Sequence, residues 1–358
     1  MRILLPLDNP GGGGIARVSR ELAGALSRAL PEDDQLVVLG AAPGLQLRPN
    51  VRAIETAGTG HGRIRRALAD QGNVYRAARN VDLVHMTDAK APLLSSTPFI
   101  LTIHDLFFLD NPEWFPATVR IYKRLLLNLS IRRGPAAIVC VSAHTRDRLR
   151  VHHPSAFSRR PVVVIHPGLE WPAEPAAGEP GDGDGDYFLT VSAIEPRKNH
   201  LGLLSAFQAA RRAGLKLRWK VVGRPQYDAQ AALGALRASE GVDLLGPVSE
   251  AELERLYRQA RFVATPSFAE GFGYPPLEAM ARGVPVVCST GSALDETVGD
   301  AAIRVPAEDQ RGWIEALTAL DSDSALRARL IEAGLRNARR FTWARSAAAH
   351  LELFGGVR

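Results

Sequence analysis

Several things are scarce in this chain, and each scarcity removes a class of function. The 358 residues hold two cysteines, Cys140 and Cys288, far apart in sequence and each following an apolar, strand-like run. That rules out a disulfide framework or a cysteine-built zinc site and leaves two buried, reduced thiols as the expectation. No stretch approaches the roughly 20 apolar residues that span a bilayer, and the opening MRILLPLDNP has too short an apolar run for a signal peptide. A cytoplasmic protein is therefore expected. The glycine-rich turn near the start has neither the GxGxxG spacing nor the Lys-Ser/Thr ending of a P-loop, which argues against nucleoside triphosphate hydrolysis. The DGDGD run at Asp182–Asp186 would need a glutamate where Ala193 stands to make an EF-hand, so a linker is expected there and no metal. Basic residues are dispersed without aromatic interleaving, so no nucleic-acid partner is expected.

What is present reads as an ordinary globular chain, 46% hydrophobic and 23% charged, long enough for two domains. The net charge of +6 hides an asymmetry: residues 1–166 hold 22 Lys and Arg against 13 Asp and Glu, leaving 22 against 25 for the rest. A basic first half suits an anionic partner, a phosphate-bearing substrate or a membrane surface; arginine-rich codon usage is the plainer alternative. Apolar runs alternate with helical periodicity through RILLPL, QLVVLG, DLVHM, FILTIHD and AIVCVS. They do so again from YFLTVSAI through LRWKVVGR, VDLLGPV, RFVATPS and VPVVCST. Such alternation predicts α/β structure, two doubly wound parallel sheets wrapped by helices. The expected division is 1–166 for the first domain, 167–186 for a Pro-, Gly- and acid-rich linker, and 187–341 for the second domain. The amphipathic helix within 342–358 is expected to return to the first.

Four stretches have the residue types for chemistry. In DNPGGGGIARVSREL, Gly12 and Gly13 sit between a strand and a helix, where backbone N–H groups can approach a phosphate; a merely flexible loop is the alternative. In TIHDL, His104 and Asp105 end a strand where a doubly wound sheet opens toward its ligand. In SAIEPRKNH, Arg197 and Lys198 precede a helix beginning around Asn199. Two cations at that end oppose the helix dipole, a conflict that an anionic ligand would resolve. In SFAEGFGYPPLEAM, Glu270 and Glu278 would lie roughly 80° apart in one unbroken helix. Gly271, Gly273, Pro275 and Pro276 instead predict a loop holding Glu270 and a new helix with Glu278 in its first turn. There Glu278 suits a vicinal diol, with simple complementation of the helix dipole as the alternative.

Taken in this order, the glycine turn, TIHD, EPRKN and EGFGYPPLEAMARGVPVV resemble the family 4 retaining glycosyltransferases of the GT-B fold, most closely a bacterial mannosyltransferase-like subgroup that works on surface polysaccharide. The resemblance extends over GIARVSREL, VSAHTRDRL, HPGLE and GPVSEAELERLY. It implies two domains facing a cleft, Arg197 and Lys198 on the donor diphosphate, and Glu278 on the ribose. Glu270 with the amides of Gly271, Phe272 and Gly273 would hold the transferred sugar, Gly12 and Gly13 would approach the phosphates, and His104 would touch the sugar near the reacting carbon. The base is implied near Gly223, Val248 and Leu253. Two places depart from the pattern: Ala193 stands where many relatives carry arginine, and SALDETVGD replaces a Leu-Pro-Glu-Val run near Leu294.

The implied chemistry suits those residues. Breaking the sugar–phosphate bond builds positive charge at carbon and negative charge on the leaving diphosphate, so fixed cations and amides lower the barrier without metal or other cofactor. Retention is expected through a front-face displacement in which the donor phosphate takes the acceptor's proton, with Glu270 orienting the sugar. The expected substrates are a nucleotide-sugar donor, GDP-mannose first and GDP-rhamnose, dTDP-rhamnose or UDP-sugars behind it, and a glycan or polyprenyl-linked acceptor. The segment VRIYKRLLLNLSIRRG mixes apolar residues with five Lys and Arg at helical spacing. It suits an anionic membrane surface, or equally a core helix with a solvated basic edge. A non-catalytic nucleotide-sugar-binding protein is the alternative from another class. GT-B phosphorylases and sugar-nucleotide epimerases would need signatures that are not found, among them a lysine for pyridoxal phosphate.

Overall fold

A computed structural model describes residues 1–7, 14–40, 48–56, 63–170 and 185–357, with the side chains of 63–67 not described. Gly12, Gly13 and most of the expected linker lie outside these residues. The chain divides into two units. The first comprises Met1–Asp110, Ala117–Gly168 and Phe341–Arg358; the second comprises Asn111–Pro116 and Leu169–Arg340.

In the first unit seven strands form one sheet: β1 (Arg2–Pro6), β2 (Gln35–Leu39), β3 (Val51–Ile54), β4 (Leu83–Met86), β5 (Phe99–Ile103), β6 (Ala137–Cys140) and β7 (Val162–Val164). Their order is β3-β2-β1-β4-β5-β6-β7, every pairing parallel. Parallel strands are covered on both faces, so they read as continuous apolar runs; every residue of β4, β5 and β6 is buried. The second unit repeats the plan with β8 (Tyr187–Val191), β9 (Arg218–Val222), β10 (Val242–Gly246), β11 (Val263–Thr265), β12 (Val286–Ser289) and β13 (Ile303–Val305), in the order β10-β9-β8-β11-β12-β13. Its pairings are parallel too. In each sheet the winding reverses beside its first strand, between β1 and β4 and between β8 and β11. These are the switch points where loops part and ligands lodge.

The core of the second unit is aromatic: Phe188 stacks between Trp219 (5.7 Å) and Phe262 (5.1 Å), and Trp219 donates its indole N–H to Thr190 Oγ1 at 2.9 Å. That of the first is aliphatic around Ile3, Leu4, Leu5, Ile100 and Ile138, and it encloses polar side chains, among them two histidines. His85, fully buried, meets Thr102 Oγ1 at 2.9 Å and lies 5.1 Å from the ring of His350. His350 belongs to the final helix, Trp343–Gly356, which starts at the Thr342 N-cap and packs against helix Gly14–Ala29.

Three strands, β3, β7 and β13, are absent from the runs picked out in the sequence. Each is three or four residues long at or near a sheet edge and only partly buried, so its apolar signal is weak. A second difference concerns Asn111–Pro116, expected in the first domain but grouped with the second unit. Its Trp114 stacks on Phe268 at 6.0 Å and Phe115 lies 6.2 Å from Tyr227. Among the described residues no helix is long and apolar enough to cross a membrane.

Candidate active site

The site begins where β8 ends. After Val191 the chain forms an isolated bridge from Ile194 to Pro225 and a single 3₁₀ turn, Pro196–Lys198. Asn199 then takes a left-handed conformation (φ 51°, ψ 37°), which asparagine tolerates better than most residues. Its side chain accepts from Gly202 N at 3.2 Å, capping helix His200–Arg212, and donates to Ala307 O at 2.8 Å. The turn holds Arg197 and Lys198 at the carboxyl end of β8. The adjacent switch-point strand, β11, delivers the second half of the site some 70 residues later: Ser267 and Glu270 in the loop that follows it.

The two halves meet through charge. Lys198 Nζ donates to Glu270 Oε1 at 2.5 Å, and Ser267 Oγ donates to the same oxygen at 2.7 Å. Arg197 reaches Glu270 Oε2 at 3.2 Å, Ala269 O at 2.7 Å and Glu195 Oε1 at 2.6 Å. All four ionic groups are largely withdrawn from water. Burial alone would raise the Glu270 carboxyl, but the cations of Lys198 and Arg197 and the bonds from Lys198 and Ser267 pull it down to about 2. Lys198 moves below the ordinary lysine value because burial and the neighbouring Arg197 outweigh Glu270 and Glu195. Burial, aided by Lys198, lowers the imidazole of His200 to about 4, and His200 Nε2 lies 3.1 Å from Ser192 Oγ.

This corrects one expectation from the sequence. The two cations beside the helix start need no bound anion to be neutralised, because Glu195 and Glu270 already balance them. Arg197 in particular is engaged by three protein groups, so it ties the 3₁₀ turn to the Glu270 loop.

Downstream of Glu270 the loop turns through Gly273 (φ 103°), which caps helix Tyr274–Ala281. A Cβ there would lie 2.6 Å from Leu294 Cδ2, so conformation and space both call for glycine. Because Gly273 is the cap, Pro275 and Pro276 are the second and third helical residues, and Glu278 falls in the second turn, not the first as expected. Glu278 is buried; Tyr257 of helix Glu250–Gln259 donates its hydroxyl to Glu278 Oε2 at 2.9 Å. Arg282 donates to the Glu278 carbonyl at 2.9 Å, pairs with Glu254 at 2.6 Å and lies over the Tyr257 ring. Phe272 is buried 5.1 Å from the Tyr274 ring.

Gly223 follows β9 with φ 151° and donates its N–H to Gly246 O at 3.0 Å, at the same end of the sheet. A Cβ on it would fall 1.8 Å from Ser192 O, a close approach only glycine permits. Val248 and Leu253 flank the start of the next helix, capped by Ser249, and are half-buried. His104 lies in the first unit, at the end of β5, where its Nε2–H donates to Thr87 O at 2.8 Å and its carbonyl accepts from Thr145 Oγ1. The bond to a carbonyl fixes the tautomer, with the proton on Nε2 when the ring is neutral.

Glu270, Arg197 and Lys198 are thus brought into direct contact, Glu278 stands in a separate network with Tyr257 and Arg282, and His104 belongs to the other unit. Glu195, Ser267, Asn199, Tyr257 and Arg282 were not singled out by sequence. All five lie within stretches quoted from the sequence, Glu195 and Asn199 beside Arg197 and Lys198, Ser267 beside Glu270, but nothing local gave them a role.

Comparison with known proteins follows the two halves of the chain. Residues 12–170 match Glycosyltransferase Family 4, and residues 177–337 match Glycosyl transferases group 1. An O-antigen chain mannosyltransferase B of Escherichia coli is 29% identical over 92% of this chain and 92% of its own length. The O-antigen chain mannosyltransferase RfbU of Salmonella typhimurium is 28% identical over 66% of this chain and 64% of its own. Among solved structures, HepE of Anabaena in complex with UDP and glucose superposes with a TM-score of 0.74 at 19% identity, covering 99% of both chains. WaaG, a glycosyltransferase involved in lipopolysaccharide biosynthesis, superposes with a TM-score of 0.71 at 14% identity, covering 99% of both chains. The fold is GT-B, and the chain is a glycosyltransferase. Within that class it belongs to family 4.

Proposed function

We propose that this enzyme transfers mannose from GDP-mannose, with retention of configuration, onto a glycan or polyprenyl-linked acceptor during assembly of bacterial surface polysaccharide at the inner face of the cytoplasmic membrane. The names of the Escherichia coli and Salmonella relatives support the sugar and the pathway. The observation that carries the reading is the buried Lys198–Glu270–Arg197 cluster at the switch point of the second unit. A carboxylate held at about 2 stays ionised at any physiological pH and can accept hydroxyls of the transferred sugar. Lys198 supplies a positive charge for the donor diphosphate, and a cation already fixed in a dry site costs no reorganisation when negative charge develops on the leaving group. Glu278, oriented by Tyr257, takes the ribose diol; Gly223, Val248 and Leu253 take the base; Gly12, Gly13 and the amides of Gly271, Phe272 and Gly273 assist with phosphate and sugar. His104 keeps the contact to the sugar that the resemblance implies.

In this reading the donor phosphate accepts the acceptor's proton, and no metal takes part; transfer should persist in excess EDTA. Thermal shifts with GDP, UDP and dTDP test the base, because a ligand that binds only the folded state raises its melting temperature. Stabilisation by GDP alone supports the proposal. Stabilisation by dTDP or UDP alone would move the donor to a rhamnosyl or other hexosyl nucleotide. A bound, intact nucleotide sugar with no turnover on any acceptor would leave a binding protein.

A further inference from the structure

Ser192 is the first residue past β8, and its hydroxyl is the one polar side chain between that strand and Glu195, since Ala193 and Ile194 bring none. Its N–H donates to Val222 O at 2.9 Å, and Ile194 N donates to Arg224 O at 2.9 Å. The Ser192 carbonyl lies so near Gly223 that a Cβ there would fall 1.8 Å from it. The segment is thereby sewn to the end of β9. This fixes Ser192, half-buried, at the carboxyl edge of the sheet beside the switch point.

Among the described residues the hydroxyl has one partner, Nε2 of His200, at 3.1 Å. His200 opens helix His200–Arg212, and its ring is buried with no hydrogen-bond partner for Nδ1. A hydroxyl and a neutral imidazole can share one hydrogen bond in two ways. If Ser192 donated, the ring proton would sit on Nδ1, a buried N–H with no acceptor, which folded proteins rarely tolerate. The other tautomer carries the proton on Nε2, donates it to Ser192 Oγ and leaves only a lone pair unmatched at Nδ1. The ring stays neutral because burial and the nearby Lys198 lower it to about 4. Ser192 is then the acceptor, and among the described residues its own proton has no taker.

The surroundings say what that proton meets. The amino end of a 13-residue helix stands beside it, where backbone dipoles favour negative charge. Lys198 adds a fixed cation close enough to act on His200. Arg197 and Asn199 are already committed to protein groups, Arg197 to three and Asn199 to two. An anion is favoured there over a neutral hydroxyl, and a donor held in one direction loses little freedom on meeting it. We infer that Ser192 donates its hydroxyl to a phosphate oxygen of the donor diphosphate, and that His200 is the positioning residue that turns the hydroxyl toward it. The inference rests on the donor site of the proposed function and adds to it one binding and one orienting side chain.

Calorimetric titration of the full chain with GDP, and with UDP and dTDP in parallel, tests it. Ser192→Ala should weaken GDP binding by about tenfold to a hundredfold, the worth of a hydrogen bond to a charged group. His200→Leu should weaken it by about fivefold, because the hydroxyl survives but loses its direction. His200→Gln, whose amide N–H can still reach Ser192, should bind nearly as wild type does. On top of Ser192→Ala, His200→Leu should cost nothing more, since the contact it serves is gone. That non-additivity separates orientation from packing damage, and melting temperatures check the fold of each variant. Should UDP or dTDP bind in place of GDP, the same losses on that nucleotide support the contact. Wild-type affinity in Ser192→Ala overturns the inference and leaves the donor site standing. So does an equal loss from His200→Leu with and without Ser192, or a His200→Gln variant as weak as His200→Leu. If wild type binds none of the three nucleotides, the donor site falls and this contact falls with it.

Discussion

The two units wind their sheets in the same order and both bury neutral imidazoles, yet they differ in the charge they bury. The second seals two cations and two carboxylates at its switch point, mutually balanced through Lys198, Arg197, Glu195 and Glu270. The first buries neutral imidazoles: His350 is lowered to about 4 and His85 is lowered well below its usual range, in both cases chiefly by burial. Its cations lie outside. Shared topology thus fixes where a site can form, and the charge pattern of the loops decides what it can do. Fixed, compensated charge suits a leaving diphosphate.

The comparison breaks most visibly at Lys198. Lys198→Ala should lower kcat by about 10² to 10³ while the first unit is untouched, since removing one preorganised donor to a developing anion costs that much. Steady-state transfer from GDP-mannose measures it, and near-normal turnover would remove Lys198 from the chemistry. Glu270→Gln should also cripple turnover, and near-normal rates in both variants would overturn the whole assignment.

Acid tests both units next. The imidazoles of His350 and His200 have folded values near 4, below the unfolded 6.5, so the unfolded chain binds more protons between those limits. Stability from these groups is complete above about pH 6.5 and declines toward pH 4. Glu270, depressed to about 2, contributes above the ordinary carboxylate value and is lost between about pH 4.5 and 2. Urea midpoints at pH 7 and pH 5 should therefore differ. His350→Gln should flatten the dependence of the first unit and leave nucleotide binding alone; an unchanged pH slope would count against a neutral buried His350.

A smaller effect is expected at Tyr257. Tyr257→Phe removes one hydrogen bond to Glu278, about 1 kcal/mol, and should raise the donor KM about fivefold with kcat nearly kept. Equal losses in kcat and KM would mean that Tyr257 does more than orient the Glu278 carboxylate. Smallest of all, Arg311→Ala deletes an exposed pair with Glu315 and should shift stability by less than about 0.5 kcal/mol in thermal unfolding.

Much of the fold was legible because parallel, doubly covered strands announce themselves as apolar runs and amphipathic helices as a 3.6-residue period. Short partly polar strands such as β3 were not. The helix start expected around Asn199 is kept, while the cap at Gly273 puts Glu278 in the second turn of its helix where the prolines suggested the first. The site was legible as residue types at plausible ends of strands. Its wiring was not: no local pattern says that Ser267 and Lys198 share one oxygen of Glu270, or that Tyr257 reaches Glu278.

By itself the sequence determined the order of elements, the two sheets and the positions of the loops, because propensity and hydrophobic period act over a few neighbouring residues. Tertiary structure alone decided which loops meet. Strands β8 and β11 lie side by side although more than 70 residues separate them, so the turn carrying Lys198 and the loop carrying Glu270 face each other in a space from which water is excluded. Only there do opposite charges bind strongly enough to hold a carboxylate ionised and two cations in place.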